Sequence, residues 1–263
     1  FKNKEFLAAI ENAKKNNGKV HLIGLVSNGG VHSHVNHLYG LLELMKREDQ
    51  EDVYVHAILD GRDVAPAVGK EDIEKLEVKL KEIGVGKIAT VTGRYYTMDR
   101  DTRWERTKLG YDALVHGIGV EANSAVEAVD NSYKEGVQDE FLIPAVIKQD
   151  EKPVAKIEDG DSVIFFNYRP DRARQITRAI VDEDFDHFDR GKKIDTLFVT
   201  MTEYDKTIKN VLVAYTKDAP INTLSQHVSS KGLNQLKIAE TEKYPHVTFF
   251  FNGGIEVPYM NED

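Results

Sequence analysis

The sequence predicts an α/β protein, a three-layer domain in which helices flank a mostly parallel central sheet. Two observations predict this class. Short runs rich in β-branched and aromatic residues are bounded by turn residues, and amphipathic stretches separate one run from the next. This alternation of strands and helices is typical of a parallel sheet that is covered on both faces. The predicted strands are residues 20–26, 53–59, 87–91, 162–167 and 196–201.

Apolar residues at helical spacing predict two amphipathic helices, one after the first strand and one after the second. Gly84 follows the last apolar position of the second helix and predicts its end. Residues 148–161 are polar and contain Pro153, which predicts a loop or a hairpin. The apolar positions are Leu38, Leu41, Leu42 and Met45 in the first helix, and Ile73, Leu76, Leu80 and Ile83 in the second.

Composition excludes several classes of function. The formal net charge of -9 and the absence of a broad basic stripe argue against nucleic acid and anionic membrane as partners. No apolar run is long enough to span a bilayer. Zero cysteines exclude disulfides, thiolate zinc sites and a cysteine nucleophile. No signal peptide is visible, so we expect a cytoplasmic protein, and we expect it to be a monomer.

Arginine is concentrated in a few places. Nine of the 11 arginines lie in three segments, namely Arg62, residues 94–106 and residues 169–178, whereas the 24 lysines are scattered. A guanidinium grips carboxylate or phosphate with two parallel hydrogen bonds, which a lysine does not do. In an acidic protein this concentration predicts a local anion site.

The positions of four motifs predict where that site lies. Each of the four comes after a predicted strand. Three of them begin at the next residue, namely 27–30 (SNGG), 60–63 (DGRD) and 168–172 (YRPDR), and 93–96 (GRYY) begins two residues after the last strand residue, 91. The carboxyl ends of parallel strands share one edge, where ligands of open α/β sheets bind. The site residues predicted on this edge are His32, Arg62, Asp63, Arg94, Arg100, Arg169 and Arg172.

Each motif also has a purely structural reading. The SNGG segment is either an ordinary strand-to-helix turn or a set of backbone amides facing an anion. Asp63 either closes a turn by an ion pair with Arg62 or is an ionised carboxylate poised as a base. His32, His34 and His37 lack a standard metal-ligand spacing, so no metal-binding residue is predicted.

The two longer arginine segments divide into site and surface positions. Residues 94–106 interleave acids and bases, as on a salt-bridged helix face, so Arg94 and Arg100 at its start are the better site candidates. Pro170 suits a first helical turn and would place Arg169 and Arg172 near a helix start, where cations oppose the helix dipole. An anion-binding role explains that placement. Arg174 and Arg178 are predicted to be solvated helix positions.

Five segments together resemble the cofactor-independent (2,3-bisphosphoglycerate-independent) phosphoglycerate mutase family. The resemblance implies an isomerase of glycolysis that interconverts 3-phosphoglycerate and 2-phosphoglycerate through a phosphoserine. It also implies an alkaline-phosphatase-like domain with a nucleophilic serine and two Mn²⁺ ions, into which a substrate-binding domain is inserted. The segments are 26–34 (VSNGGVHSH), 59–64 (LDGRDV), 93–101 (GRYYTMDRD), 165–174 (FFNYRPDRAR) and 239–254 (AETEKYPHVTFFFNGG).

The family's substrate contacts carry over to this chain residue by residue. His32 would lie near the transferring phosphate, and Asp63 would be the general acid or base on the glycerate hydroxyls. Lys243 would neutralise phosphoryl charge from the linker side, while Asn28 stands where many members have aspartate. The residues expected to hold carboxylate, hydroxyls and phosphate are Arg62, Arg94, Arg100, Arg169 and Arg172.

The resemblance also predicts how the chain divides into domains and which functions lie outside it. Residues 1–221 would be the substrate-binding domain, and residues 222–263 the linker and the start of a returning phosphatase-like segment. No segment resembles the family's serine nucleophile or its metal clusters, so the Mn²⁺ ligands would lie outside this chain. We therefore expect the chain alone to have no mutase activity, even with Mn²⁺, and to supply substrate binding and orientation to the full-length enzyme. The alternative is a non-catalytic module that binds phosphorylated acids.

Overall fold

The computed structural model describes residues 1–216 and 220–263, and the chain divides into two compact units, Phe1–Thr216 and Lys217–Asp263. The first unit is built on one nine-stranded sheet. Its strands are β1 Val20–Leu25, β2 Val53–Leu59, β3 Lys87–Gly93, β4 Val120–Ala122, β5 Ala145–Gln149, β6 Lys152–Pro153, β7 Ser162–Phe165, β8 Leu197–Thr202 and β9 Val211–Tyr215.

Seven α-helices belong to the described part of the first unit, and one more, α8 Leu224–Ser230, belongs to the second. The seven are α1 Lys4–Asn16, α2 Val35–Arg47, α3 Gly69–Ile83, α4 Arg94–Thr97, α5 Trp104–Tyr111, α6 Ala125–Lys134 and α7 Arg174–Val181. Within residues 1–216 and 220–263, none of the helices is long and apolar enough to cross a membrane.

The sheet is mostly parallel, as the sequence predicts. Its order is β4-β5-β3-β2-β1-β7-β8-β9, and the six strands from β3 to β9 along this order pair in parallel. β5 runs antiparallel to β3 and forms the predicted hairpin with β6. The chain passes from β1 to β2 and β3 on one side, and later returns to place β7 on the other side of β1. This reversal is the kind of switch point beside which open α/β sheets bind ligands.

Each face of the sheet carries its own apolar core, which confirms the three layers. Successive side chains of a strand point to opposite faces, so Leu22 of β1 packs into one core and Ile23 into the other. Helices α1, α2, α3 and α6 cover the first face, and α5 and α7 cover the second. Both predicted amphipathic helices are present, and Gly84 ends α3 with a left-handed φ of 80°.

Two features of the first unit that differ from the prediction are the number of strands and the helices within residues 94–106. Strands β4, β5 and β9 were not predicted, because β4 and β9 are short and partly exposed and β5 ends in the polar turn of its hairpin with β6. Residues 94–106 form two helices instead of one, because the Asp99 carboxylate accepts hydrogen bonds from the backbone N–H groups of Asp101 and Arg103 and holds a turn there.

The helix expected at Pro170 begins later, at Arg174. The backbone N–H groups of Tyr168 and Arg169 donate to the His32 carbonyl at 2.8 and 3.3 Å, which ties this stretch to the loop after β1. Arg169 and Arg172 therefore lie in the turn before α7 and not in its first turn, and the helix-dipole argument does not apply to them.

The second unit contains α8, a 3₁₀ turn at Thr241–Lys243, a π-helical turn at His246–Phe250 and a parallel bridge between Gln235 and Glu262. Large apolar side chains are exposed on it, among them Ile221 and Ile238. The predicted domain boundary between residues 221 and 222 stays a prediction.

Candidate functional site

The four motifs lie at one edge of the sheet. They follow β1, β2, β3 and β7, which are consecutive neighbours in the order β3-β2-β1-β7 and are all parallel. Arg62 and Arg169, which come from loops far apart in sequence, are therefore carried on the same edge, as predicted. The strands of the sheet thus position the loops, and the loops position the side chains described next.

Asp60, the first residue after β2, forms the buried floor of the site. Its Oδ1 accepts hydrogen bonds from the backbone N–H groups of Arg62 at 3.2 Å and Asp63 at 2.9 Å, and its Oδ2 accepts one from the Ser27 hydroxyl at 2.7 Å. Burial would raise the pKa of this carboxyl, but these hydrogen bonds and that of Arg94 outweigh burial and lower it. An ionised Asp60 therefore shapes the DGRD turn.

Arg94 lies beneath Asp63 and holds it. Its terminal nitrogen Nη1 is 2.6 Å from both Asp60 Oδ1 and Asp63 Oδ2, and its side chain is 2% exposed. The sequence suggested that Arg62 would be the cation beside Asp63, whereas the structure places Arg94 there. The predicted contact of Arg94 with substrate stays a prediction, because in this structure its guanidinium serves two carboxylates inside the protein.

His32 lies between two carboxylates at the centre of the site. Its buried ring has Nε2 at 4.0 Å from Asp63 Oδ2 and Nδ1 at 3.6 Å from Asp171 Oδ1. The pKa of His32 is lowered to about 4, mainly because the ring is buried and secondly because the positive charge of Arg94 is near. The ring is therefore neutral at pH 7, so it can act on a ligand by hydrogen bonding and not as a cation.

Three charged side chains form the rim above His32. Asp171 accepts two hydrogen bonds from Arg169, from Nε to Oδ1 and from Nη2 to Oδ2, both at 3.0 Å. Arg100 donates from Nη1 to Asp171 Oδ2 at 2.6 Å. Arg100 and Arg169 are 42% and 45% exposed, so both guanidinium groups can be reached from solvent.

The other two predicted arginines reach the same region. Arg62 is 55% exposed and pairs with Glu140 at 3.2 Å. Arg172 donates to the Met98 carbonyl at 3.1 Å. Burial is the largest cause that lowers the pKa of Arg172, and the positive charges of Arg100, Arg94 and Arg62 lower it further. Arg62, Arg94, Arg100 and Arg172 therefore lie near one another and form one cluster of positive charge.

Lys243 belongs to the second unit, where it is exposed on the 3₁₀ turn, and its role toward a phosphoryl group stays a prediction. Asn28 is exposed in the loop after β1, and nothing in the structure explains why it replaces aspartate. Arg106 stacks on the Tyr95 ring at 3.8 Å and pairs with Asp99, as a structural helix residue would.

Sequence reasoning missed four residues that shape the site. Asp60 could have been found because it directly follows a predicted strand, and Asp171 because it stands between two site arginines. Glu140 is 78 residues from its partner Arg62, so no local pattern indicates it. The fourth is Ser27, which supports Asp60.

The three histidines after β1 do not act together. His34 accepts a hydrogen bond from the backbone of Asn36 and caps α2, and the ring of His37 packs edge-on against Tyr168. Among residues 1–216 and 220–263, no group of three or more His, Cys, Asp or Glu side chains is arranged to hold a metal ion.

Fold and site together define an α/β domain with a cluster of arginines at the carboxyl edge of its mostly parallel sheet. A family model described as the N-terminus of BPG-independent PGAM matches residues 1–206. The chain belongs to the 2,3-bisphosphoglycerate-independent phosphoglycerate mutase family. The resemblance noted in the sequence is thereby confirmed.

Relatives with this name align along the whole chain. The chain is 62% identical to a 2,3-bisphosphoglycerate-independent phosphoglycerate mutase of Clostridium perfringens and 59% identical to one of Clostridium botulinum, in each case over 263 residues. It spans about half of these relatives, 51% and 52% of their length. A crystal structure of Leishmania mexicana phosphoglycerate mutase, determined at low cobalt concentration, matches 99% of this chain and 52% of its own, with a TM-score of 0.75 and 31% identity.

Proposed function

We propose that this chain binds phosphoglycerate and orients it for a mutase that interconverts 3-phosphoglycerate and 2-phosphoglycerate through a phosphoserine intermediate. The observation that supports this proposal is the convergence of four loops on one edge of the sheet. They deliver Arg62, Arg100 and Arg169 around Asp63 and His32. Membership of the phosphoglycerate mutase family supports the choice of substrate.

The arginines suit the chemistry of this substrate. Phosphoglycerate carries a carboxylate and a phosphate, and the guanidinium fork matches both with paired hydrogen bonds. A mutase that moves a phosphoryl group between two hydroxyls of one glycerate must retain that glycerate in a fixed place. Orienting groups of this kind contribute several kcal/mol to catalysis, up to about 7–11 in favourable cases. Arg62, Arg100 and Arg169 are exposed enough to perform this task.

Asp63 would act on the glycerate hydroxyls as a general acid or base. Its carboxylate is partly exposed at the rim while Arg94 and the DGRD turn fix its position from below. A general base must be held within hydrogen-bond reach of the proton that it accepts. His32, neutral at pH 7, would lie near the transferring phosphate.

The family's two Mn²⁺ ions do not fit the described residues, because no cluster of metal ligands is present among residues 1–216 and 220–263. No metal-dependent step is therefore assigned to this chain, and we propose that it is part of a longer protein in which residues outside this chain hold the ions. We also propose that Lys243 approaches the phosphoryl group there, and that the protein is a cytoplasmic monomer.

The second candidate is a module that binds phosphorylated acids without any catalytic role. Both candidates predict that the isolated chain binds 3-phosphoglycerate and does not convert it, even with Mn²⁺ added. They differ for the longer protein, which turns the substrate over under the first candidate and does not under the second.

Calorimetric titration of the chain with 3-phosphoglycerate tests the proposal. Arg169→Ala should weaken binding about tenfold or more, because charge-assisted hydrogen bonds contribute about 1.5–3 kcal/mol. Arg174→Ala is the matched control, since Arg174 lies five residues along and donates instead to the Tyr204 carbonyl; it should change the affinity less than twofold by this account. Circular dichroism checks that both variants are folded. Equal losses in the two variants, or no binding by the unaltered chain, would contradict the proposal.

A further inference from the structure

Asp171 is paired with two of the arginines that the proposed function assigns to substrate. Its two carboxylate oxygens hold Arg169 by two hydrogen bonds at 3.0 Å and Arg100 by one at 2.6 Å. The guanidinium groups come from two different loops, one between α4 and α5 and one after β7. Asp171 is thus an anion of the protein itself, bound by the same donors that the proposed function assigns to substrate.

The contacts of Asp171 are those of an exchangeable pair and not of a structural one. Arg100, Arg169 and Asp171 are 42%, 45% and 25% exposed, and pairs of this kind contribute about 0–1 kcal/mol to stability. The Asp60–Arg94 pair offers a contrast within the same site, because its members are 1% and 2% exposed. The fold holds Asp60 in place, whereas solvent or a ligand can compete for the partners of Asp171.

A second anion cannot join Asp171 on these arginines without like-charge repulsion. The guanidinium fork binds carboxylate and phosphate in the same geometry, so an arriving substrate group competes for the donors now used by Asp171. We propose that Asp171 is a specificity-determining residue that holds Arg100 and Arg169 in the absence of ligand and yields them to an anionic group of the substrate. Only a ligand with enough negative charge to displace Asp171 is then bound well.

The structure also provides a place for the released carboxylate. His32 Nδ1 is buried, is 3.6 Å from Asp171 Oδ1, and has no hydrogen-bond partner among the described residues. A small movement of Asp171 toward this nitrogen would exchange its arginine contacts for a hydrogen bond from the imidazole. That bond would fix the ring with its proton on Nδ1. The other nitrogen, Nε2, which faces Asp63, would then be free to accept a hydrogen bond. Asp171 would then have two positions, one without substrate and one with it.

The inference rests on the proposed function, and binding measurements separate the two. Calorimetry on the chain with 3-phosphoglycerate and with inorganic phosphate should give roughly three- to tenfold tighter binding for Asp171→Asn, because the amide does not compete as a charge. Asp205→Asn is the matched control: Asp205 lies in the turn after β8 and is also near two arginines, Arg174 at 4.0 Å and Arg178 at 3.3 Å, both of which belong to α7. It should leave both affinities unchanged.

Weaker or unchanged binding by Asp171→Asn would overturn the inference, because a purely structural role predicts loss and never gain. If the unaltered chain failed to bind 3-phosphoglycerate at all, the proposed function would fail instead. A measurement on the unaltered protein covers the case in which the variant does not fold. The assigned carboxyl ¹³C resonance of Asp171 should shift when 3-phosphoglycerate saturates the chain, while that of Asp205 should not. A static Asp171 resonance would also overturn the inference.

Discussion

At the scale of single residues, the proposed function separates groups that would bind substrate from a group that would react with it. Arg62, Arg100 and Arg169 are exposed cations, whereas Asp63 is a carboxylate fixed from below by Arg94 at 2.6 Å. Interactions made equally in the ground state and the transition state lower the Michaelis constant, while interactions made only in the transition state raise turnover. The two kinds of residue should therefore give different kinetic signatures when replaced.

We expect Asp63→Asn, made in the longer protein, to keep near-normal substrate affinity and to lose roughly two to four orders of magnitude in turnover. The asparagine keeps the size of the side chain, and Asp60 still pairs with Arg94, so the loop should stay in place. Steady-state kinetics measures both constants. Asp130→Asn, at a surface pair with Lys70, serves as a control without effect. A loss confined to affinity would show that Asp63 only binds.

His32 should make the chain less stable in acid. Its pKa in the folded protein, about 4, lies below its ordinary value of 6.5, so the unfolded chain binds a proton more tightly. Stability is therefore fully present above pH 6.5 and is lost as the pH falls toward 4, by up to about 3 kcal/mol. Urea unfolding at several pH values should show a smaller decrease between pH 6.5 and 4 for His32→Gln. Parallel curves for the two proteins would contradict this interpretation.

At the scale of elements, the short segment 139–142 packs against two of the site loops. The backbone of this segment contacts Gly93 so closely that an added Cβ would lie 2.6 Å from the Leu142 nitrogen and 2.8 Å from the Asp139 carbonyl oxygen. The same segment carries Glu140, the partner of Arg62. Gly93 is therefore needed for close approach, and not for an unusual backbone angle, since its φ is -72°.

Gly93→Ala should destabilise the protein by about 1–3 kcal/mol, because the methyl group forces backbone apart in a packed region. Gly40→Ala is the matched control: Gly40 lies inside α2 with no atom within 4 Å of an added Cβ, so alanine should stabilise by about 0.5–1 kcal/mol. Chemical unfolding of both variants gives the two values. Equal effects would mean that the 139–142 contact contributes nothing.

The sequence predicts elements well where one face or both faces are strongly apolar. The strands β1, β2, β3, β7 and β8 are buried along nearly their whole length, so their composition alone identifies them. The three-residue β4 and the antiparallel β5 depend on pairing with distant residues, which a local pattern does not contain. The start of α7 depends on hydrogen bonds to the His32 carbonyl, and these also lie beyond local sequence.

At the scale of the whole first unit, the topology makes the location of the site predictable from the sequence. It does not make predictable which side chains pair with each other inside the site. Parallel strands in neighbouring positions necessarily bring their following loops together, so the arginine-bearing motifs could be assigned to one edge from the sequence. Which carboxylate meets which arginine depends on side-chain packing across loops. Asp63 pairs with Arg94 and not with its neighbour Arg62, which reaches Glu140 instead.

The opposite edge of the sheet provides an internal comparison. A cavity of about 750 Å³ opens there, at the amino ends of β2 and β3. Its lining includes three acids and two lysines, so it carries no excess of positive charge for a dianion. The charged residues are Glu51, Asp52, Glu77, Lys81 and Lys87. Charge and hydrogen-bond donors therefore favour the arginine edge over this cavity as the site for an anion.

The central claim is that phosphoglycerate binds at the carboxyl edge of the sheet, and NMR mapping of 3-phosphoglycerate on the ¹⁵N-labelled chain tests it most directly. The account predicts that amide and guanidinium resonances shift together in the four loops that carry His32, Arg62, Arg100 and Arg169. Resonances of Lys81 and Lys87 at the opposite edge should stay in place. Shifts confined to the opposite edge, or no shifts at saturating ligand, would contradict the account.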